Sequence, residues 1–219
     1  LVLSKTLSHI SNYNVVCIAH GMFPQYRGKT IPPEGTSCPY NIVWDASQIK
    51  FFKSKEDNTF VLGLPYEVSI AHRMKQQIIL VGHCGRSTDT IEYFYSLYHF
   101  TKLYAVLEKA DFDVHFRPHP MDDMAFIKTI FPKICTEDKI RLLSTTRMAY
   151  VGFSSTLLYE AAQFNNIVIG LDDSIFPYTI DFTLDAFVTA KNYSSLPKIL
   201  SALFVQYSQI DIEEPENLL

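Results

Sequence analysis

The chain of 219 residues is 47% hydrophobic and 19% charged, which is apolar material for one generous globular domain or for one domain with part of another. Its formal net charge of −4 lacks the basic excess of a protein built around nucleic acid, and its apolar runs, such as 78–82 and 167–171, fall far short of the roughly 20 residues that cross a bilayer. Cys17, Cys38, Cys84 and Cys135 stand far apart with no C-x-x-C pair, a pattern that argues against a zinc knuckle or disulfide framework and for a reducing, cytoplasmic setting.

The chain opens on Leu1 with neither a basic lead nor a small-residue cleavage site, which predicts a piece of a longer protein rather than a signal peptide. Residues 14–19 form an apolar, β-branched run that reads as a buried strand ending at His20-Gly21. The segment 22–39 holds four prolines with Arg27, Gly28, Lys29 and Gly35, and reads as a long loop, either functional or mobile. A strand over 40–44, a short helix capped by Asp45 or Ser47 and running to Phe52, and a strand over 59–62 closing at Gly63-Leu64-Pro65 follow. Residues 66–75 are more polar and read as a connector. We therefore expect residues 1–75 to be the C-terminal part of a preceding α/β domain, and residues 76–219 to be a Rossmann-like domain of their own.

In that second part, 77–82 is almost continuously apolar, as strands covered on both faces are. Ser87 or Thr88 caps an aromatic-rich helix to about Lys109, assigned mainly to core packing, and 113–116 reads as a strand ending in Arg117-Pro118-His119-Pro120. Helices are expected at 122–130, 139–144, 156–164 and 196–207, with strands at 149–152 and 167–171. The alternation predicts an α/β fold with a doubly wound parallel sheet, whose ligands sit beyond the carboxyl ends of the strands. The acidic stretch 211–216 reads as solvated.

Candidate chemistry collects at those strand ends. Gly152-Phe153-Ser154-Ser155-Thr156 ends a strand and opens an amphipathic helix, so exposed N–H groups, the helix dipole and three hydroxyls can meet a phosphate; plain helix capping by Ser and Thr is the other reading. Glu160, about one turn further along, is a candidate for ribose hydroxyls, against an ordinary surface glutamate. Two prolines stiffen the loop that carries Arg117 and His119, which suit a bidentate phosphate clamp and a proton donor to a departing phosphate, against a merely rigid turn. Gly82 belongs to a further glycine-flanked loop where backbone can approach a ligand. His20 is a candidate general base or a structural histidine. Asp122-Asp123 and Asp172-Asp173 read as solvated or capping acids rather than metal ligands.

The ordered series His20-Gly21, Gly63-Leu64-Pro65, Arg117-Pro118-His119-Pro120 and the stretch from Gly152 to Ala162 resembles bacterial surface-polysaccharide transferases of the GT-B type. These include CMP-sialic acid and CMP-Kdo transferases and the CDP-glycerol glycerophosphotransferases of teichoic acid synthesis. By that resemblance, His119 and Pro120 match a histidine-proline motif and Ser154 and Ser155 a serine-serine motif, both of which hold the nucleotide's phosphate. The acidic base in the N-terminal domain of the sialyltransferases has no counterpart here: either that part lies outside this chain, or His20 does related work, or the chain is not catalytic by itself.

The resemblance implies a metal-independent glycosyltransferase with no cofactor, a CMP- or CDP-linked donor and a glycan or lipid-linked acceptor. The expected catalytic residues are His20 and His119, and the expected nucleotide contacts are Gly82, Arg117, His119, Pro120, Ser154, Ser155, Thr156 and Glu160. The setting is the cytoplasm, with peripheral inner-membrane contact compatible. Alternatives are a polyol-phosphate transferase, a non-catalytic nucleotide-binding module and a sugar-nucleotide epimerase.

Overall fold

Two short parallel and antiparallel ladders precede one larger parallel sheet in a computed structural model, which describes residues 16–19, 24–26, 29–30, 40–69, 71, 73–82, 90–172, 175, 178–180 and 187–209. In chain order the strands are β1 (Val16–Ile18), β2 (Pro24–Tyr26), β3 (Lys29–Thr30), β4 (Tyr40–Val43) and β5 (Thr59–Val61). They continue with β6 (Met74–Val81), β7 (Asp113–Arg117), β8 (Arg147–Gly152), β9 (Ile167–Leu171), β10 (Tyr178–Ile180) and β11 (Phe187–Ala190). The helices are α1 (Thr90–Lys109), α2 (Met124–Ile130), α3 (Lys139–Thr145), α4 (Thr156–Gln163) and α5 (Leu196–Ser208), and a 3-10 stretch covers Ala46–Asn58.

The large sheet has the order β11-β9-β8-β6-β7 with every neighbouring pair parallel. Strand β6 comes first in the chain, β7 lies on one side of it and β8 on the other, so the winding reverses between β6 and β8. The expected α/β, doubly wound parallel sheet is what the chain adopts. Its strands are apolar on both faces because helices cover both. Ile78 and Leu80 pack with α1 and α5, through Phe100, Leu103, Leu107, Leu200 and Phe204. Ile79 and Val81 face the other way, against Leu142 and Leu143 of α3 and Leu157, Leu158 and Ala161 of α4.

Local chemistry sets the helix limits. Asp123, Asp138 and Ser155 accept N–H bonds from the first turns of α2, α3 and α4. Past the ends of α1 and α4, Asp111 (φ 65°) and Asn165 (φ 57°) take the left-handed conformation that short polar side chains tolerate. Strands β6 and β8 start earlier than expected, at Met74 and Arg147, because polar residues at a strand's entry still make ladder bonds that hydrophobic patterning does not register.

The first part of the chain forms a parallel ladder β1-β4-β5. The segment 22–39, read from sequence as a loop, instead holds β2 and β3, which pair with each other, and β2 pairs on its other side with β10, far along the chain. Strands of two or three residues carry no periodicity, and a distant partner leaves no local mark. The short helix expected after Asp45 is a longer 3-10 stretch in which Asp45 Oδ1 accepts from Ser47 N–H at 2.8 Å. The caps expected at Ser87 or Thr88 lie outside the described residues.

Gly82 follows β6 where β7 leaves almost no room: a Cβ there would stand 2.9 Å from the Arg117 carbonyl oxygen and 3.1 Å from Phe116 Cζ. Backbone cannot yield as a flexible side chain can, so Gly82→Ala is expected to cost about 1–3 kcal/mol of stability, as overpacking does. Urea unfolding of the two proteins checks this, and an unchanged midpoint would show that the strand ends separate freely.

Candidate functional site

Val81 is paired with Arg117 on one side and with Gly152 on the other, so the chain leaves β6, β7 and β8 at one edge of the sheet, side by side. That edge is where the winding reverses, the place at which open α/β sheets bind ligands. A crevice of about 360 Å³ opens there, lined by Gly82, Arg117, Pro118, His119, Pro120, Lys139, Ser155 and the apolar Val81 and Leu157. Its volume lies in the range of small-ligand sites.

Arg117 is the last residue of β7, and its Nη1 donates to the Glu137 carbonyl at 2.8 Å. A carbonyl fixes the guanidinium without cancelling its charge. His119 is held through its backbone: its N–H donates to Asp122 Oδ2 at 2.8 Å and its carbonyl accepts from Asp122 N–H at 2.9 Å. The ring Nδ1 accepts from Met121 N–H at 3.3 Å, which places the proton of the neutral imidazole on Nε2. Burial holds the His119 pKa below the usual 6.5, with the Asp122 carboxylate opposing it. Burial likewise pushes the Asp122 carboxyl up from 3.8, with its bond from His119 N–H pulling the other way.

Ser155 closes the third side. Its Oγ accepts from Leu157 N–H at 3.3 Å, so it caps α4 while its residue also lines the crevice. Both readings of this motif, capping and site, therefore describe one residue. Ser154 and Thr156 belong to the same turn, partly buried and engaged in contacts of their own, and they do not line the crevice.

Glu160 lies behind the wall rather than in it. It is 3% exposed, and its Oε1 accepts from Lys139 Nζ at 2.7 Å. Lys139 is what the crevice displays, a residue for which sequence patterning gives no signal beyond its place at the start of a helix. Its Nζ also stands 5.1 Å from the centre of the Tyr66 ring. Burial, then the neighbouring Glu160, pushes the Tyr66 hydroxyl well above the usual phenol range.

The structure thus brings Gly82, Arg117, His119, Pro120 and Ser155 into one crevice, sets Glu160 immediately behind it, and adds Lys139. His20 lies outside the described residues. Of the acidic pairs, Asp122 braces the His119 turn and Asp123 caps α2. Among the described residues no group of three or more His, Cys, Asp and Glu is placed to hold a metal ion, and no helix is long and apolar enough to cross a membrane.

No protein-family model matches the chain, and no curated protein matches it. Among solved structures the chain is similar to the crystal structure of TarM, with a TM-score of 0.49 at 13% identity over 90% of this chain and 45% of that one. The chain spans less than half the length of that protein.

A phosphate seated beside His119 favours imidazolium, whereas burial in the free protein favours the neutral ring. Binding of an anion there is therefore expected to take up a proton and to tighten as pH falls toward the depressed pKa of the free protein. Calorimetry of nucleotide binding in buffers of different ionisation enthalpy measures the uptake. His119→Gln should abolish it.

Proposed function

We propose that the chain carries the donor-binding crevice of a glycosyltransferase, which moves a sugar from a nucleotide donor, CMP- or CDP-linked, to a surface glycan or lipid-linked acceptor. The observation that supports this reading above all is the meeting of Arg117, His119 and the start of α4 around one crevice at the switch point of the sheet. The two side chains offer N–H donors and the helix start the positive end of its dipole, and an anion is what such a set receives best.

In the proposed reaction the acceptor hydroxyl attacks the anomeric carbon as the bond to the nucleotide phosphate breaks. Negative charge then grows on the leaving phosphate. Arg117 and the dipole of α4 stand fixed before the reaction, so they stabilise that charge without reorganising. His119, with its proton on Nε2, donates a hydrogen bond to the same phosphate and so adds to that stabilisation. These side chains fill the part that a divalent cation plays elsewhere. Peripheral contact with the inner membrane and a cytoplasmic setting belong to the same proposal, since a lipid-linked acceptor is presented there.

Titration of the folded chain with CMP, CDP, UDP and GDP tests the reading. A charge-assisted hydrogen bond is worth about 1.5–3 kcal/mol, so Arg117→Ala and His119→Ala are each expected to weaken the best binder roughly 10- to 100-fold. Ser155→Ala should mainly loosen α4, lowering stability by about 1 kcal/mol through the lost cap. If none of the four nucleotides binds a folded sample, the crevice is not a nucleotide site.

A further inference from the structure

The Lys139–Glu160 pair is not accounted for by stability. Burying a carboxylate costs several kcal/mol that a single ion pair only roughly returns, and an apolar pair of the same volume would hold α3 to α4 as well. What the pair does achieve is placement. Asp138 caps α3, its carboxylate accepting from Arg141 N–H at 3.1 Å, and so fixes Lys139 as the first helical residue. Glu160, 3% exposed, then draws the ammonium to 2.7 Å, while the face of Tyr66 lies 5.1 Å away.

An ammonium has three donors. One is spent on Glu160, and the Tyr66 ring attracts the cation from the protein side. The Lys139 side chain is still 40% exposed, and the space it is exposed to includes the crevice that Arg117, His119 and Ser155 line. Its remaining hydrogens therefore have room for a ligand oxygen. Glu160 is buried behind the wall and bonded to Lys139, so its part is to orient a cation.

We propose that Lys139 is a phosphate contact of this crevice and that Glu160 and Tyr66 are positioning residues that hold its ammonium at the wall. The proposal rests on the reading of the crevice as a phosphate site. It adds a second fixed cation to the crevice wall, contributed by α3, whose approach also supplies the Glu137 carbonyl that holds Arg117, so that a phosphate would meet two cations rather than one. Tyr66 comes from the segment joining β5 to β6, so this clamp draws on that segment as well as on the large sheet.

The test is calorimetry of the full chain with CMP and with inorganic pyrophosphate, at several salt concentrations, with thermal unfolding run on every variant. Loss of one charge-assisted contact predicts roughly tenfold weaker binding for Lys139→Met, with partial recovery in Lys139→Arg and a shallower salt dependence in the Met variant. Because Lys139→Met leaves a buried carboxylate without its partner, Lys139→Met combined with Glu160→Gln removes both charges and keeps the packing; it should stay folded and bind as weakly.

Glu160→Ala should lose a similar factor, and Glu160→Gln, which keeps an oxygen where Oε1 stands, should recover most of it. A merely structural Glu160 would move unfolding temperature and leave the salt slope untouched. Wild-type binding that survives unchanged, slope included, in the folded double variant overturns the Lys139 proposal and leaves the crevice standing. Failure of the folded wild-type chain to bind either probe overturns both.

Discussion

The crevice depends on how closely three parallel strands end beside one another. Gly82 N–H donates to the Arg117 carbonyl at 2.8 Å, and a Cβ on Gly152 would lie 3.1 Å from the Val81 carbonyl. Any side chain at either place would push the ends apart and spread the loops that leave them. With glycine at both, Arg117 and His119 emerge directly across from the first turn of α4. The chemistry at the edge is thus a consequence of packing inside the sheet: Phe116 stacks on Phe131 with ring centres 4.0 Å apart, holding β7 and the chain beyond α2 together just below Arg117.

Charge within the crevice is graded by what each group is tied to. Arg117 is fixed by a neutral carbonyl and keeps its full field. Lys139 is fixed by a buried carboxylate, so its field is largely cancelled at a distance and matters only to a group that touches it. Burial favours the neutral form of His119. Before binding, the attraction felt by an approaching anion comes mainly from Arg117 and the end of α4, where the helix contributes about half a unit charge. Lys139 and His119 act only at contact range.

Much of this architecture was legible in the sequence, and what was not shares one physical cause. Continuous apolar runs marked β6, β8 and β9 because helices bury both their faces, and the two prolines around His119 marked a rigid loop at a strand end. Lys139 and Glu160 are 21 residues apart and meet only because β8 runs between α3 and α4, so neither spacing nor composition announces the pair. Tyr66 reaches the same place from a segment that reads as a plain connector. The aromatic helix α1 shows the same limit: Tyr93, Phe100 and Tyr104 are buried, whereas Ile91, Phe94, Tyr95 and Tyr98 face outward, a split set by rotation about the helix axis. A run of aromatic residues on nearly every turn hides that split.

Helix α4 ties the crevice to the first part of the chain. Its start faces the crevice, yet its flank is held from elsewhere: Tyr159 donates to the Trp44 carbonyl at 3.1 Å, and Tyr66 packs on Phe164 just beyond its end. Burial pushes the Tyr159 hydroxyl up to about 12, so it remains a donor at any physiological pH. Trp44 itself is buried among Leu157, Leu158 and the α3 leucines, directly after β4. A displacement of β4 therefore moves Trp44, Tyr159 and the axis of α4 together, because close-packed side chains transmit small shifts rather than absorb them. The start of α4 and the β1-β4-β5 ladder are in this way joined through one packed contact, made by Trp44 and Tyr159.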